Sequence, residues 1–265
     1  MSHRAANKGT ALITGASSGI GAVYADRLAK AGYDLILVAR NADRLGALAG
    51  RLTRETGRAV ATIAADLTQA ADLAKVETAL KTDASITVLV NNAGVGATAS
   101  LLTSDLDKME QLITLNVTAL TRLAHAAAPG FVARGDGTII NISSIVAVNP
   151  ELLNGVYGGS KAFVLAFSQS LHHELADKGI RVQAVLPGAT ATEFWDIAGL
   201  PARHLPQGSV MSAEAMVDAA LAGLAQGELV TIPALPDKAD WDAFERARAA
   251  LAPNLSLAVP AARYL

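Results

Sequence analysis

The feature that most restricts this chain is a short apolar run at residues 10–14. It ends in Gly15-Ala16-Ser17-Ser18-Gly19-Ile20-Gly21 and passes directly into a helical pattern. A buried strand turning on glycine into a helix is the opening of a βαβ unit, the building block of layered α/β structures. Each glycine has its own reason. Gly15 permits the sharp turn, Gly19 lets backbone approach an anion, and Gly21 lets the helix pack closely on the strand. Ser17, Ser18 and Ile20 fill the turn between them. The free N–H groups at the helix start, and the partial positive charge there, favour a phosphate. The turn reads as a diphosphate cradle with the spacing G-x-x-x-G-x-G.

The alternation continues along the chain. Residues 34–39, 59–64, 87–91, 138–142, 181–186 and 230–232 read as further strands, near-continuously apolar rather than alternating. Such runs belong to a parallel sheet covered by helices on both faces. Glycine closes several helical stretches, as at Gly32 and Gly179, and Ser212 reads as the N-cap of a late helix. The expectation is α/β: one doubly wound, three-layer sandwich with a central parallel sheet of about seven strands. The whole chain, 1–265, is read as a single domain with a core at 8–232 and a C-terminal extension at 233–265. Residues 190–210, punctuated by Gly199, Pro201, Pro206 and Gly208, break the rhythm and read as a lid over a site. The extension carries four prolines and a short helix pattern at 240–251.

Composition removes whole classes of function. Hydrophobic residues make up 51% and charged ones 17%, with a formal net charge of -2, so the chain is neither disordered nor a basic binder of nucleic acid or membrane. Zero cysteine excludes disulfides, thiolate metal sites and a cysteine nucleophile, and suits a reducing compartment. The N-terminal MSHRAANKG lacks the apolar core of a signal peptide, and no window approaches the roughly 18 apolar residues of a membrane span. A soluble cytoplasmic protein is expected. No metal site is expected either: His172, His173 and Glu174 are consecutive on a helix, so neighbours point about 100° apart and cannot converge on an ion.

A second motif overlaps the glycine turn. Gly15-Ala16-Ser17-Ser18-Gly19 also satisfies G-x-S-x-G, the nucleophile elbow of serine hydrolases, in the required strand–turn–helix context. Ser17 would then be the nucleophile. An elbow needs a later acid and histidine and normally follows several strands, whereas this one follows the first. None of His3, His125, His172, His173 and His204 sits in an obvious loop after a late strand.

Ser144 ends the fifth strand, and Tyr157 and Lys161 follow at i and i+4 on a helix, which places both on one face. An ammonium beside a phenol stabilises the phenolate and lowers the tyrosine from its reference value of about 10. Such a tyrosine can exchange a proton with a carbonyl or alcohol oxygen. Ser144 can hydrogen-bond the same oxygen.

TGASSGIG at 14–21, NNAG at 91–94, Asn116, Ser144, Tyr157, Lys161 and Pro187-Gly188 occur in one order at compatible spacing. Together they resemble the short-chain dehydrogenase/reductase family over about residues 8–232, with no catalytic substitution. The resemblance implies a Rossmann-type fold and hydride transfer between a nicotinamide cofactor and a carbonyl or secondary alcohol. It implies Tyr157 as acid/base and Lys161 as the residue that lowers its pKa and holds the nicotinamide ribose. Ser144 would position the substrate oxygen, and Asn116 would kink its helix and hold a water in a proton relay. Asn91, Asn92, Ala93 and Gly94 would line the adenosine side, with Asp66 and Leu67 at the adenine. Pro187, Gly188, Thr190 and Thr192 would hold the carboxamide end and the diphosphate. A redox-inert, nucleotide-sensing member of the same fold is the alternative within the family, because fold does not dictate function.

Charge selects the cofactor. The second strand ends in Ala39 followed by Arg40, so the acid that would hold unphosphorylated ribose hydroxyls is missing and a guanidinium stands in its place. Arg44, one turn on, adds to it, and NADP(H) is expected. For the substrate, Val146, Leu153, Phe194 and Trp195 supply an apolar wall, which favours an apolar carbonyl or alcohol. Arg203 and His204 are the basic groups of the lid. The helix with Phe163, Leu165, Phe167 and Leu171 has more apolar faces than one sheet contact needs, and the resemblance implies a homodimer or homotetramer through it.

Overall fold

The computed structural model describes residues 8–200, 204–206 and 208–265, with Asp196 as backbone only. His3, Pro201 and Arg203 lie outside the described residues. The chain runs β1 (Thr10–Thr14), α1 (Gly19–Lys30), β2 (Asp34–Ala39), α2 (Ala42–Thr56), β3 (Val60–Ala64), α3 (Ala70–Thr82) and β4 (Ile86–Asn91). Next come α4 (Leu106–Ile113), α5 (Leu120–Arg134), β5 (Gly137–Ile142), α6 (Gly155–Leu175) and β6 (Ile180–Val185). β7 (Thr190–Ala191), α7 (Phe194–Ile197), β8 (Met211–Ser212), α8 (Ala213–Ala225) and β9 (Val230–Thr231) complete a first compact unit that ends at Pro233. The second unit, Ala234–Leu265, contains α9 (Lys238–Ala249), capped by Asp237, on which Trp241 and Phe244 stack.

Seven parallel strands form the main sheet in the order β3-β2-β1-β4-β5-β6-β9. This is the expected Rossmann-type fold. Successive residues of one strand serve opposite cores. Ala11 and Ile13 pack with Tyr24, Leu28, Leu45, Leu52 and Met216 on one face, whereas Leu12 packs with Leu73, Val76, Leu123 and Phe131 on the other. Burial on both sides explains why the strands read as continuous apolar runs. β3 departs from that expectation: Ala61, Thr62 and Ala64 are exposed, because β3 is the sheet's edge and has a neighbouring strand on one side only.

Strand order reverses on either side of β1, so the carboxyl ends of β1 and β4 flank a crevice. Ligands of open α/β sheets bind at such a switch point. A second, two-stranded sheet pairs β7 with β8. It clasps together the two ends of the segment read as a lid. Gly199 and Gly208 inside that segment take φ of 90° and 81°, conformations open to glycine.

Candidate active site

The glycine turn is held from below by β4. Thr14 Oγ1 accepts the backbone N–H groups of Asn92 and Ala93, each at 3.0 Å, and Asn92 Nδ2 donates to Thr14 O at 2.9 Å and Gly15 O at 3.2 Å. Gly15 and Gly19 have φ of 64° and 52°. A Cβ on Gly21 would stand 2.3 Å from Gly15 O, so α1 approaches the turn only because residue 21 lacks one. Ser18 precedes α1 without a side-chain cap, and the first turn carries no acid. Its N–H groups and dipole are therefore left to an outside acceptor. The chain's own chemistry fits a dinucleotide diphosphate here. Ser17 makes no hydrogen bond to any described histidine, so the hydrolase arrangement is not assembled.

Around this cradle the other expected cofactor residues gather unevenly. Arg40 is exposed after β2 and has no ion-pair partner among the described residues. Arg44 instead pairs with Glu193, Nη1 to Oε2 at 2.8 Å. Asp66 accepts from Thr68 N and Oγ1 at 3.0 and 2.7 Å, a local turn beside the buried Leu67. From the far side, Thr192 packs its methyl 3.0 Å from where a Cβ of Gly19 would stand, bringing the loop after β6 onto the turn. Pro187 O accepts Ile145 N at 3.0 Å, and Thr190 Oγ1 donates to Gly188 O at 3.2 Å.

The polar cluster lies on the β5 side of the crevice. Asn154 caps α6 by accepting Val156 N at 2.9 Å and Tyr157 N at 3.3 Å, which sets Tyr157 in the first turn. Lys161 lies one turn on and donates Nζ to Ile142 O at 2.9 Å, with Nζ 5.9 Å from the Tyr157 ring centre. Ser144 stands two residues past the end of β5, where its Oγ donates to Pro187 O and accepts Val146 N, each at 3.4 Å. Asn116 sits in a π-helical turn, Thr114–Ala119, between α4 and α5. The extra residue of a π turn re-aims a side chain that regular helix would bury elsewhere. Its amide accepts Val95 N at 3.0 Å and donates to Val95 O at 2.9 Å and Ser160 Oγ at 3.1 Å. Gly94 leaves room for it, since a Cβ there would meet Asn116 Oδ1 at 3.0 Å and Lys161 Nζ at 3.5 Å.

Burial decides the proton affinities. Desolvation pushes the Tyr157 phenol up to about 12, against the lowering effect of Ser144, and drives Lys161 down to about 8. The expectation of a lowered tyrosine is therefore not met as the site stands. Tyr157 is 5% exposed, and the cost of a buried phenolate outweighs an ammonium that burial itself disfavours.

Of the expected substrate residues, Val146, Leu153 and Phe194 pack with Tyr157, Ala97, Met109 and Leu112 in one apolar cluster. Trp195 is not part of it. Its indole donates to Thr190 O at 2.9 Å and its ring meets Phe194 edge-on, so it ties α7 back to β7. Gly96, Thr98 and Glu193 were not singled out from sequence, and Asn154 was read only as a polar group in the apolar wall. Asn154 carried a legible signal, an N-cap residue opening a helix; Gly96 and Glu193 acquire meaning only through distant partners.

The family model for short chain dehydrogenase matches residues 9–198, and the chain belongs to that family. Among solved structures it is similar to a short-chain dehydrogenase from Sphingobium yanoikuyae in complex with NADPH: 52% identity over 97% of this chain and 100% of that one, with a TM-score of 0.94. It is also similar to the bulky-bulky ketone specific alcohol dehydrogenase from Comamonas testosteroni: 47% identity over 97% and 98% of the two chains, with a TM-score of 0.89. The very-long-chain 3-oxoacyl-CoA reductase of Anas platyrhynchos is 36% identical over 192 residues, which span 71% of this chain and 62% of that protein.

Proposed function

We propose that this protein is an NADP(H)-dependent oxidoreductase that interconverts an apolar ketone and its secondary alcohol. The observation that carries the reading is the gathering of Ser144, Tyr157 and Lys161, all buried and with Lys161 Nζ 5.9 Å from the Tyr157 ring centre, beside a glycine cradle at the switch point of the sheet. When bound, the nicotinamide nucleotide supplies the hydride to the carbonyl carbon.

The chain's residues supply everything else. Ser144 donates a hydrogen bond to the substrate oxygen and orients it toward Tyr157. Tyr157 gives its phenolic proton to that oxygen as negative charge develops, and takes it back in the oxidative direction. Lys161 stabilises the resulting phenolate. Lys161 would hold the ribose hydroxyls of a bound nucleotide, and hydrogen bonds to them would favour its ammonium form over the depressed value that burial imposes. Asn116, tied to Val95 and Ser160, is assigned to the relay that returns the proton. Gly15, Ser17, Ser18, Gly19, Ile20 and Gly21 are assigned to the diphosphate, and Pro187, Gly188, Thr190 and Thr192 to the nicotinamide end. Asp66, Leu67, Asn92, Ala93 and Gly94 are assigned to the adenosine side.

Arg40, exposed and unengaged at the end of β2, supports NADP(H) over NAD(H). The NADPH complex of the Sphingobium relative points the same way. An apolar ketone is supported by the cluster of Val146, Leu153 and Phe194 and by the relative named for bulky ketones. The stacked rings of Phe163 and Phe167 on α6 support a homodimer or homotetramer, and the cysteine-free sequence suits the cytoplasm. No helix of the described residues is long and apolar enough to cross a membrane.

The test is loss of NADPH absorbance when purified protein meets a panel of ketones, with Tyr157→Phe as control. Turnover that depends on Tyr157 is expected. Absence of turnover, or turnover unaffected by Tyr157→Phe, overturns the reading.

A further inference from the structure

The proposed chemistry requires a carbonyl oxygen at the Tyr157 hydroxyl, yet that residue is only 5% exposed. Phe194 is what lies against it. The two ring centres are 5.9 Å apart with planes at 48°, a tilted contact within the range of favourable aromatic pairs.

Phe194 reaches this position through an accommodation on the opposite wall. A Cβ on Gly96 would stand 2.2 Å from Phe194 Cζ and 2.9 Å from Cε1 and Cε2, so the ring tip rests directly on the residue 96 backbone. Gly96 is not among the residues with positive φ, so its conformation gives no reason for glycine. The space that Phe194 fills is the reason. Two further bonds hold the ring's own segment in place. Thr98 Oγ1 donates to Ala198 O at 2.7 Å, and the Trp195 indole, edge-on to Phe194 at 5.6 Å, donates to Thr190 O at 2.9 Å.

Outside this plug lies an apolar rim. Leu101, Leu102, Leu106, Leu152 and Ile197 are 78%, 95%, 72%, 51% and 68% exposed. Their segments are stitched together: Asn154 Nδ2 donates to Ala99 O and Ser104 Oγ, and Thr98 reaches Ala198 beside Ile197. Scattered exposed apolar residues need no explanation, but five on or beside segments joined by these bonds mark a surface for apolar ligand.

We propose that Phe194 is the specificity-determining gate of this site. Its ring holds the place of one apolar substituent of the ketone, between Tyr157 and Gly96, and a bulky substrate enters by turning that ring out toward the rim. The class selected is a ketone with bulky apolar groups on both sides of the carbonyl. One group replaces the ring's contacts and the other rests on Leu101, Leu102 and Ile197. A small ketone fits beside the seated ring, so only the bulky ketone has to turn it out, and removing the ring favours the bulky one alone. The proposal rests on the oxidoreductase reading above and deepens it.

Two kinds of measurement test it. The first compares kcat/KM for dicyclohexyl ketone and for acetone, with NADPH, in wild type, Phe194→Ala and Gly96→Ala. Removing or expelling the ring is expected to raise the dicyclohexyl ketone to acetone ratio by about tenfold, the scale set by apolar contacts in a pocket. Phe194→Ala creates no clash, so it keeps the test valid if Gly96→Ala fails to fold. The second uses Trp195 as reporter in a Trp241→Phe background, which leaves one of the two tryptophans. Adding dicyclohexyl ketone to the NADP+-loaded protein is expected to shift Trp195 emission saturably, and Phe194→Ala is expected to abolish the shift. If wild type reduces both ketones while the Phe194→Ala ratio stays within twofold, or if the emission shift survives Phe194→Ala, the gate is overturned and the oxidoreductase reading stands. If wild type reduces no ketone at all, both are overturned.

Discussion

Arg44 Nη1 stands 2.8 Å from Glu193 Oε2, an ion pair that ties the first turn of α2 to the residue preceding Phe194. The carboxylate holds Arg44 above its usual range, and the guanidinium holds Glu193 below its own. Arg44 therefore already has an anionic partner, and a ribose 2′-phosphate would have to compete with Glu193 for it. Glu193→Gln is expected to tighten NADPH binding, by about fivefold at most because both groups are exposed and screened. The gain is expected to be smaller for NADH and to shrink as salt rises. Fluorescence titrations of the two nucleotides at low and high ionic strength check this; equal effects on both would remove Arg44 from the phosphate site.

Arg40 has no such competitor among the described residues. Arg40→Asp is expected to lower kcat/KM for NADPH relative to NADH by about 10- to 100-fold, since it replaces a charge-assisted hydrogen bond with repulsion. An unchanged ratio would place the 2′-phosphate elsewhere.

Tyr157→Phe removes the proton donor while keeping the ring that Phe194 rests on. A fall in kcat of about 10²- to 10⁴-fold is expected, the usual contribution of a general acid. NADPH affinity is expected to stay within a few-fold of wild type. Single-turnover reduction beside nucleotide titration separates the two quantities.

Lys161 links the site to stability. Its folded value, about 8, lies below the reference of 10.5. Between those values the unfolded chain holds a proton that the folded one lacks, so stability rises with pH across that window. At pH 7 both states are protonated and the buried charge costs about 3 kcal/mol, on the order of 1.4 kcal/mol per pH unit of difference. Above about pH 10 Tyr157 acts in the opposite sense: folded, it keeps a proton that the unfolded phenol loses, and stability falls. Lys161→Met is expected to be more stable than wild type at pH 7 and to lack the rise between pH 8 and 10. Urea denaturation at pH 7, 8, 9 and 10 reads both effects, and parallel wild-type and variant curves would contradict them.

The strands and the local motifs were legible because their physical cause is local. β1 and β2 have the bounds read from their apolar runs, and the other five main-sheet strands shift by one residue at one or both ends. Ser212 caps α8 as its position before an alanine-rich run implied, accepting Ala215 N at 3.0 Å. Tyr157 and Lys161 fall on one helix at the expected spacing. β7 and β8 were missed because two-residue strands carry no pattern; a kink at Asn116 was implied by the resemblance, but its π-helical form was not, because its cause is tertiary: the amide's partners are Val95 and Ser160.

The sequence by itself determined the doubly wound sheet, the glycine cradle and the identity of the polar trio, because hydrophobic periodicity and backbone freedom act between near neighbours. Tertiary structure alone decided what state those groups are in. Arg44 meets Glu193 149 positions along the chain, and Phe194 meets Gly96 and Tyr157 from α7, which neither motif contains. That packing removes water from Tyr157 and Lys161, and desolvation, which no spacing rule encodes, sets their proton affinities.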